Sequence, residues 1–248
     1  MISNWLAATL ARRNIHYGWV MVGVTFLAAL ISAGTVGAPG VFIVPLQKEF
    51  GWSTAEISSA LSIRLILFGL MAPFAAALLN RYGLRNVTLA AQLVVVSGLL
   101  ASLFMTEVWQ LVLLWGVVVG LGTGMTALVL GATIATRWFV ARRGLVVGIL
   151  TASVATGQLL FLPALAAITD RFGWRLALAL VCMMLAVAAL AVLMLMRDRP
   201  SDVGQRPFGD QGTEPLPAPP PSTAPIAAVA LGTLRDCSKS AVFWVLFA

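Results

Sequence analysis

Arg64 sits inside an apolar run that extends from about Thr54 to Leu79. It lies about ten residues into that run, roughly 14 Å along a helix rising ~1.5 Å per residue. In a hydrocarbon layer about 30 Å thick that is near the midplane, where a charge costs at least about 2.5–3.5 kcal/mol. An arginine held there needs a partner. The nine acidic residues, from Glu49 to Asp236, all fall in loops, at the ends of apolar runs or in the polar tail. The counter-charge must therefore be a ligand anion, backbone carbonyls or an acid beyond this sequence. An anionic ligand suits arginine, whose planar fork gives a carboxylate two parallel hydrogen bonds. The alternative is an arginine that snorkels to an interface or braces two helices.

Other polar groups inside apolar runs are Thr35, Thr126 and Gln158, all candidates to line a cavity beside Arg64. Gln92 reads as a helix-to-helix contact. Gly34, Gly37, Pro39 and Gly40 loosen the first run. Freed backbone groups in such a segment can bind substrate, although an ordinary proline kink is an equal reading. Enzyme chemistry finds no support: there is no nucleophile beside a base, no phosphate-cradling loop and no pair of buried acids. The single histidine, His16, precedes the first run, and Cys182 and Cys237 form no cluster, so no metal or cofactor is expected.

These residues must be positioned by membrane helices. The chain has 248 residues, 60% hydrophobic and 10% charged, against about 25% charged in soluble domains. Six stretches are long enough to span: Tyr17–Leu46, Thr54–Leu79, Val87–Met105, Trp109–Thr136, Gly144–Ile168 and Trp174–Met196. The expected fold is an all-α integral membrane bundle of six helices. Spans three and six, rich in Leu, Val, Ala and Met, should face lipid. In span four, Gly116, Gly120 and Gly124 recur every fourth residue, a spacing that lets helices approach closely.

Short loops force sequential spans to run antiparallel, and basic residues set their orientation. One set of ends holds Arg12, Arg13, Arg81, Arg85, Arg137, Arg142, Arg143, Arg197 and Arg199; the other holds Lys48, Arg171 and Arg175. The first set is expected to be cytoplasmic, with the N-terminus, in a plasma membrane or cell inner membrane. The net charge of +7 is explained by that asymmetry, and no nucleic-acid partner is expected.

Asn80-Arg81-Tyr82-Gly83-Leu84-Arg85 follows span two, and Asp170-Arg171-Phe172-Gly173-Trp174-Arg175 follows span five. Both fit Asx-Arg-aromatic-Gly-x-Arg, three spans apart and so on opposite membrane faces. An inverted repeat of three plus three helices produces that pattern.

The layout resembles the major facilitator superfamily, whose members have six spans, a long polar loop and six more. Ala76 to Arg85 is similar to that family's G-x-x-x-D-R-x-G-R-R motif: Arg81, Gly83 and Arg85 match, while Ala76, Asn80 and Leu84 depart from it. In the family, the Asp and Arg join a cytoplasmic charge latch that favours the outward-open state; Asn80 cannot carry that charge. Arg137-Trp138-Phe139 with Arg142-Arg143-Gly144-Leu145, and Phe50-Gly51-Trp52-Ser53, resemble the monocarboxylate-porter-like and oxalate/formate-antiporter-like branch. The resemblance implies gating roles for Asn80, Arg81, Gly83, Arg85, Arg137, Arg142 and Arg143.

Four segments follow: an N-terminal cytoplasmic segment (1–16), the six-span bundle (17–197), a Pro-rich cytoplasmic linker (198–238) and the start of a truncated seventh span (239–248). Eight of the 12 prolines lie between Pro200 and Pro225, so the linker is expected to be extended and mobile. The expected function is secondary active transport of small organic anions, mono- or dicarboxylates, by alternating access. This chain would supply the N-terminal half, partnered by the bilayer, the anionic substrate and a missing C-terminal six-span half. The competing reading is a non-transporting six-span scaffold or receptor module.

Overall fold

A computed structural model describes residues 7, 9, 12, 15–126, 128–210, 212, 230, 232, 235, 236 and 239. Most of the Pro-rich tail and the expected seventh span, apart from Lys239, lie outside the described residues. Six helices are long and apolar enough to cross a membrane: α1 (Gly18–Phe50), α2 (Thr54–Tyr82), α3 (Leu84–Ser102), α4 (Val108–Trp138), α5 (Arg143–Phe172) and α6 (Trp174–Leu195). The all-α membrane bundle expected from the sequence is what forms.

Local chemistry sets the helix ends. Gly51 closes α1 in the left-handed conformation at φ 73°. Ser53 opens α2, accepting from the Glu56 amide at 3.2 Å, while Glu56 accepts from the Ser53 amide at 2.8 Å. Within α4, Val112–Val118 winds as a π-helix. Such segments are often found where a helix carries function.

The two related turns have one geometry. Gly83 has φ 86°, ψ 163° and Gly173 has φ 84°, ψ 161°, a region open essentially to glycine alone. Each glycine carbonyl accepts at 3.4 Å from the amide four residues on, Val87 and Ala177. The next residues, Leu84 and Trp174, are both buried. Packing follows the same symmetry. The main contacts are α1 with α5 and α6, α2 with α4, and α3 with α4 and α6. Exchanging α1 with α4, α2 with α5 and α3 with α6 leaves that set unchanged.

Two apolar clusters fill the bundle. One, toward the arginine-rich end, holds Tyr17, Met21, Leu79, Leu84, Ile134 and Trp138; the other, toward the opposite end, holds Phe42, Leu46, Ile57, Trp115, Trp174 and Val181. Without water to expel, close packing and hydrogen bonds must hold such helices together.

Two expectations need correction. α3 and α6 do not simply face lipid: each buries one side, including Val95 and Leu99 on α3 and Val181 and Leu185 on α6. The helices that bury least are α2 and α5, with Leu65, Ile66, Leu70, Leu159 and Leu160 all more than half exposed. Secondly, residues 198–210 are folded against the bundle rather than extended. Pro200–Val203 forms a 3-10 turn, and the Phe208 carbonyl accepts from Val140 and Ala141 at 2.9 and 3.1 Å. The Phe208 ring meets those of His16, Trp19 and Phe139. One aromatic anchor and a run of backbone hydrogen bonds offset the proline-rich composition there.

A Cβ at either turn glycine would be strained by roughly 1–3 kcal/mol. At Gly83 it would also come within 2.6 Å of the Asp198 carboxyl, whereas at Gly173 it meets nothing. Thermal unfolding of the purified protein should therefore be lowered by both Gly83→Ala and Gly173→Ala, more by Gly83→Ala. Gly148→Ala, at an open helical position, should be neutral or mildly stabilising.

Candidate functional site

A helical carbonyl normally accepts from the amide four residues later. For Thr35 in α1 that residue is Pro39, which has no N–H. The Thr35 carbonyl instead accepts from Nη1 of Arg64 in α2, at 3.1 Å. Arg64 is 5% exposed, enclosed between helices rather than extended to the surface of the bundle. Its Nη2 is buried without a hydrogen-bond partner. Ion pairs among the described residues, such as Glu49–Arg175, Arg206–Asp210 and Asp236–Lys239, lie elsewhere. A charged guanidinium is thus held by one neutral carbonyl and left with unused donors in a buried place.

The glycines of α4 let α2 carry Arg64 this deep. Cβ atoms at Gly116, Gly120 and Gly124 would come within 3.1 Å of the Ala60 carbonyl, 3.2 Å of the Arg64 Cα and 2.7 Å of the Met71 Cβ. The backbones are nearly in contact along the whole stripe, as the four-residue spacing predicts. On the other side of α1, Gly157 of α5 sits against the Leu30 carbonyl and Ala33.

Thr35 is joined to Arg64, but through its backbone: its hydroxyl donates to the Ser32 carbonyl at 2.6 Å. Thr126 and Gln158 are half-buried on α4 and α5, and among the described residues no hydrogen bond links either to Arg64. Sequence reasoning missed the part played by Pro39. Counting four residues back from Pro39 names Thr35 as a carbonyl without its helical donor, but not the side chain that answers it.

At the arginine-rich end, Arg137 donates through Nη2 to Asn80 Oδ1 at 2.7 Å and to the Leu79 carbonyl at 3.3 Å, tying α4 to α2. Asn80, the neutral residue in a motif that favours Asp, is therefore a working acceptor. Asp198 lies over Gly83 and accepts from the Arg85 amide at 3.0 Å, placing a carboxylate at the start of α3, where the helix dipole favours it. Arg81 stacks on Tyr82 at 5.5 Å. Arg142, left-handed at φ 63°, stacks on Phe208 at 5.9 Å, and Arg143 Nε donates to the Phe139 carbonyl at 2.5 Å. These residues order the turn between α4 and α5.

The opposite end carries a cluster the sequence did not announce. Glu49 accepts from Trp174 Nε1 at 2.6 Å and pairs with Arg175 at 2.5 Å, so α1 is tied to α6. Phe50 stacks on Trp52 at 4.4 Å, and Arg175 lies over the Trp174 ring at 4.7 Å.

A family model described as Major Facilitator Superfamily matches residues 25–248. Among curated proteins, the chain is 31% identical to human (Homo sapiens) monocarboxylate transporter 7 over 162 residues, 65% of this chain and 31% of that protein. It is 29% identical to Mus musculus monocarboxylate transporter 11 over 221 residues, 88% of this chain and 46% of that protein. The fold is similar to that of the proton:xylose symporter XylE bound to 6-bromo-6-deoxy-D-glucose, with TM-score 0.60 and 18% identity over 74% of this chain and 46% of that one. An inward open conformation of the xylose transporter XylE from E. coli gives TM-score 0.59 at 17% identity, over 74% of this chain and 49% of that one. The chain thus spans about a third to a half of the length of these relatives.

Replacing Asn80 by Asp would set a negative charge opposite Arg137, whose guanidinium already makes the hydrogen bond charge-assisted, a gain of about 0.2–1 kcal/mol at this exposed position. Asn80→Asp should raise the thermal unfolding temperature of the purified protein. In an Arg137→Ala background the same change should be neutral or unfavourable, since the new charge then has no cation opposite it.

Proposed function

The chain belongs to the major facilitator superfamily, and from that premise we propose that it serves a secondary active transporter of small organic anions, mono- or dicarboxylates, working by alternating access. It is a multi-pass membrane protein of a transporter family and not an enzyme. In this reading it supplies the N-terminal six-span half, and a second six-span bundle covers the bare faces of α2 and α5.

The observation that carries the proposal is the buried, unpartnered Nη2 of Arg64. A charged donor left unsatisfied in the interior costs upward of about 1–3 kcal/mol. A substrate carboxylate would supply the missing acceptor and neutralise the charge. Among the described residues no acid lies within ion-pair distance of Arg64, and the names of the relatives point to monocarboxylates. Arg64 is the anion grip, Thr35 its backbone anchor, and Thr126 and Gln158 are donors along the pathway. Asn80, Arg81, Gly83, Arg85, Arg137, Arg142 and Arg143 form the gate at the arginine-rich end. By the excess of arginine that end is cytoplasmic, with the linker, in a plasma membrane. The absence of a buried acid in the six spans favours anion exchange over proton coupling carried by this half.

The test is uptake of a panel of labelled monocarboxylates and dicarboxylates into proteoliposomes holding the natural protein, with and without unlabelled carboxylate inside. Saturable uptake, stimulated by internal carboxylate, is expected. Arg64→Gln and Arg64→Lys should raise KM by about 10- to 100-fold, the equivalent of one charge-assisted hydrogen bond. Uptake no greater than in empty vesicles, or variants with unchanged KM and rate, would overturn the proposal and favour a scaffold.

A further inference from the structure

We propose that Pro39 is a positioning residue for Arg64: by withholding an amide from the ladder of α1, it leaves the Thr35 carbonyl free to hold Nη1 and so orients the guanidinium toward a substrate carboxylate. This inference rests on the reading of Arg64 as the anion grip.

Three observations carry it. First, the acceptor is the one carbonyl that Pro39 deprives of a donor, since Thr35 lies four residues before it. Secondly, the bond crosses between helices and is buried, with Arg64 5% and Thr35 2% exposed, so water does not compete for the carbonyl. Thirdly, the anchor uses only Nη1, and Nη2 remains without a partner. α1 contains a second proline, Pro45, whose freed carbonyl belongs to Val41; no described side chain donates to it. Two prolines in one helix thus differ in whether a guanidinium answers them.

The consequence is geometric. A guanidinium is planar, so fixing one terminal nitrogen on a rigid carbonyl fixes the direction of the other. An arginine without that anchor must be ordered by the substrate itself, at a cost in side-chain entropy. Restoring an N–H at position 39 returns the Thr35 carbonyl to its own helix. Nη1 then loses its anchor, and the site must order Arg64 on each binding event. The effect falls on binding rather than on the transport steps that follow.

The experiment is a double-mutant cycle in proteoliposomes, using the labelled carboxylate of the panel with the lowest KM. Pro39→Ala should raise KM about 3- to 10-fold with little change in maximal rate. In an Arg64→Lys background Pro39→Ala should change KM by less than twofold, because the fork it orients is gone. Pro45→Ala should leave KM unchanged. Pro39→Leu restores the same amide with a different side chain and should reproduce the alanine result, which covers a variant that fails to accumulate. Unchanged KM in both position-39 variants, or a shift that persists fully in the Arg64→Lys background, would overturn the inference. A shift shared by Pro45→Ala would overturn it too, since it would mark a general effect of stiffening α1. If Arg64→Lys itself leaves KM unchanged, it is the anion-grip reading that fails.

Discussion

A buried cation and a carbonyl without its usual donor meet between α1 and α2, and each answers the other's deficit. Inside a low-dielectric bundle an unpaired guanidinium nitrogen is expensive, and so is an orphaned helical carbonyl. Joining them at 3.1 Å relieves the carbonyl and one of the guanidinium's five donors. What is left over is a charged donor without a protein acceptor; other unpartnered side-chain atoms buried within the described spans, such as Gln92 Oε1 and Trp115 Nε1, are neutral. The functional reading follows from that remainder rather than from the charge alone, because a fully satisfied arginine would only brace two helices.

The rest of the bundle makes this meeting possible. Arg64 lies deep because Gly116, Gly120 and Gly124 let α2 approach α4 until side chain and backbone touch. α1 is fixed from its other side by Gly157 of α5. Those close approaches are related by the same exchange of helices that relates the Gly83 and Gly173 turns. The repeat is therefore architectural, whereas the chemistry placed on it is not symmetric. At one turn, Asp198 caps the start of α3; at the other, Arg175 reaches sideways to Glu49.

Much of this was legible in the sequence, for stated reasons. Length and apolarity gave the six spans, because hydrocarbon thickness fixes how long a helix must be. The Asx-Arg-aromatic-Gly-x-Arg echo gave the repeat, because only glycine tolerates the turn's φ and ψ. Arg64 stood out because charge in an apolar run is costly. Other features were hidden. Which faces α2 and α5 leave bare could not be read, since a Leu row looks alike whether lipid or protein covers it. The docking of residues 198–210 was masked by proline content, although Phe208 in a polar stretch was the available signal. The Asn80–Arg137 bond joins residues 57 apart, and no local pattern foretells such a pair.

α1 and α2 touch each other only sparsely, although each packs closely on other helices. α1 belongs with α5 and α6, and α2 with α4 and α3, and the two groups join most extensively where α3 meets α6 and next where α4 meets α5. The ties at the ends act within groups: Asn80–Arg137 joins α2 to α4, and Glu49 joins α1 to Trp174 and Arg175 of α6. The Arg64–Thr35 bond instead crosses from one group to the other in the interior. On the proposed reading, an anion drawn to Nη2 arrives on that seam and not on a packed ridge. It can alter the balance of charge there while the glycine contacts stay intact. A site on a seam lets binding bias the relation between helix groups at little packing cost, which a site inside either group would not allow.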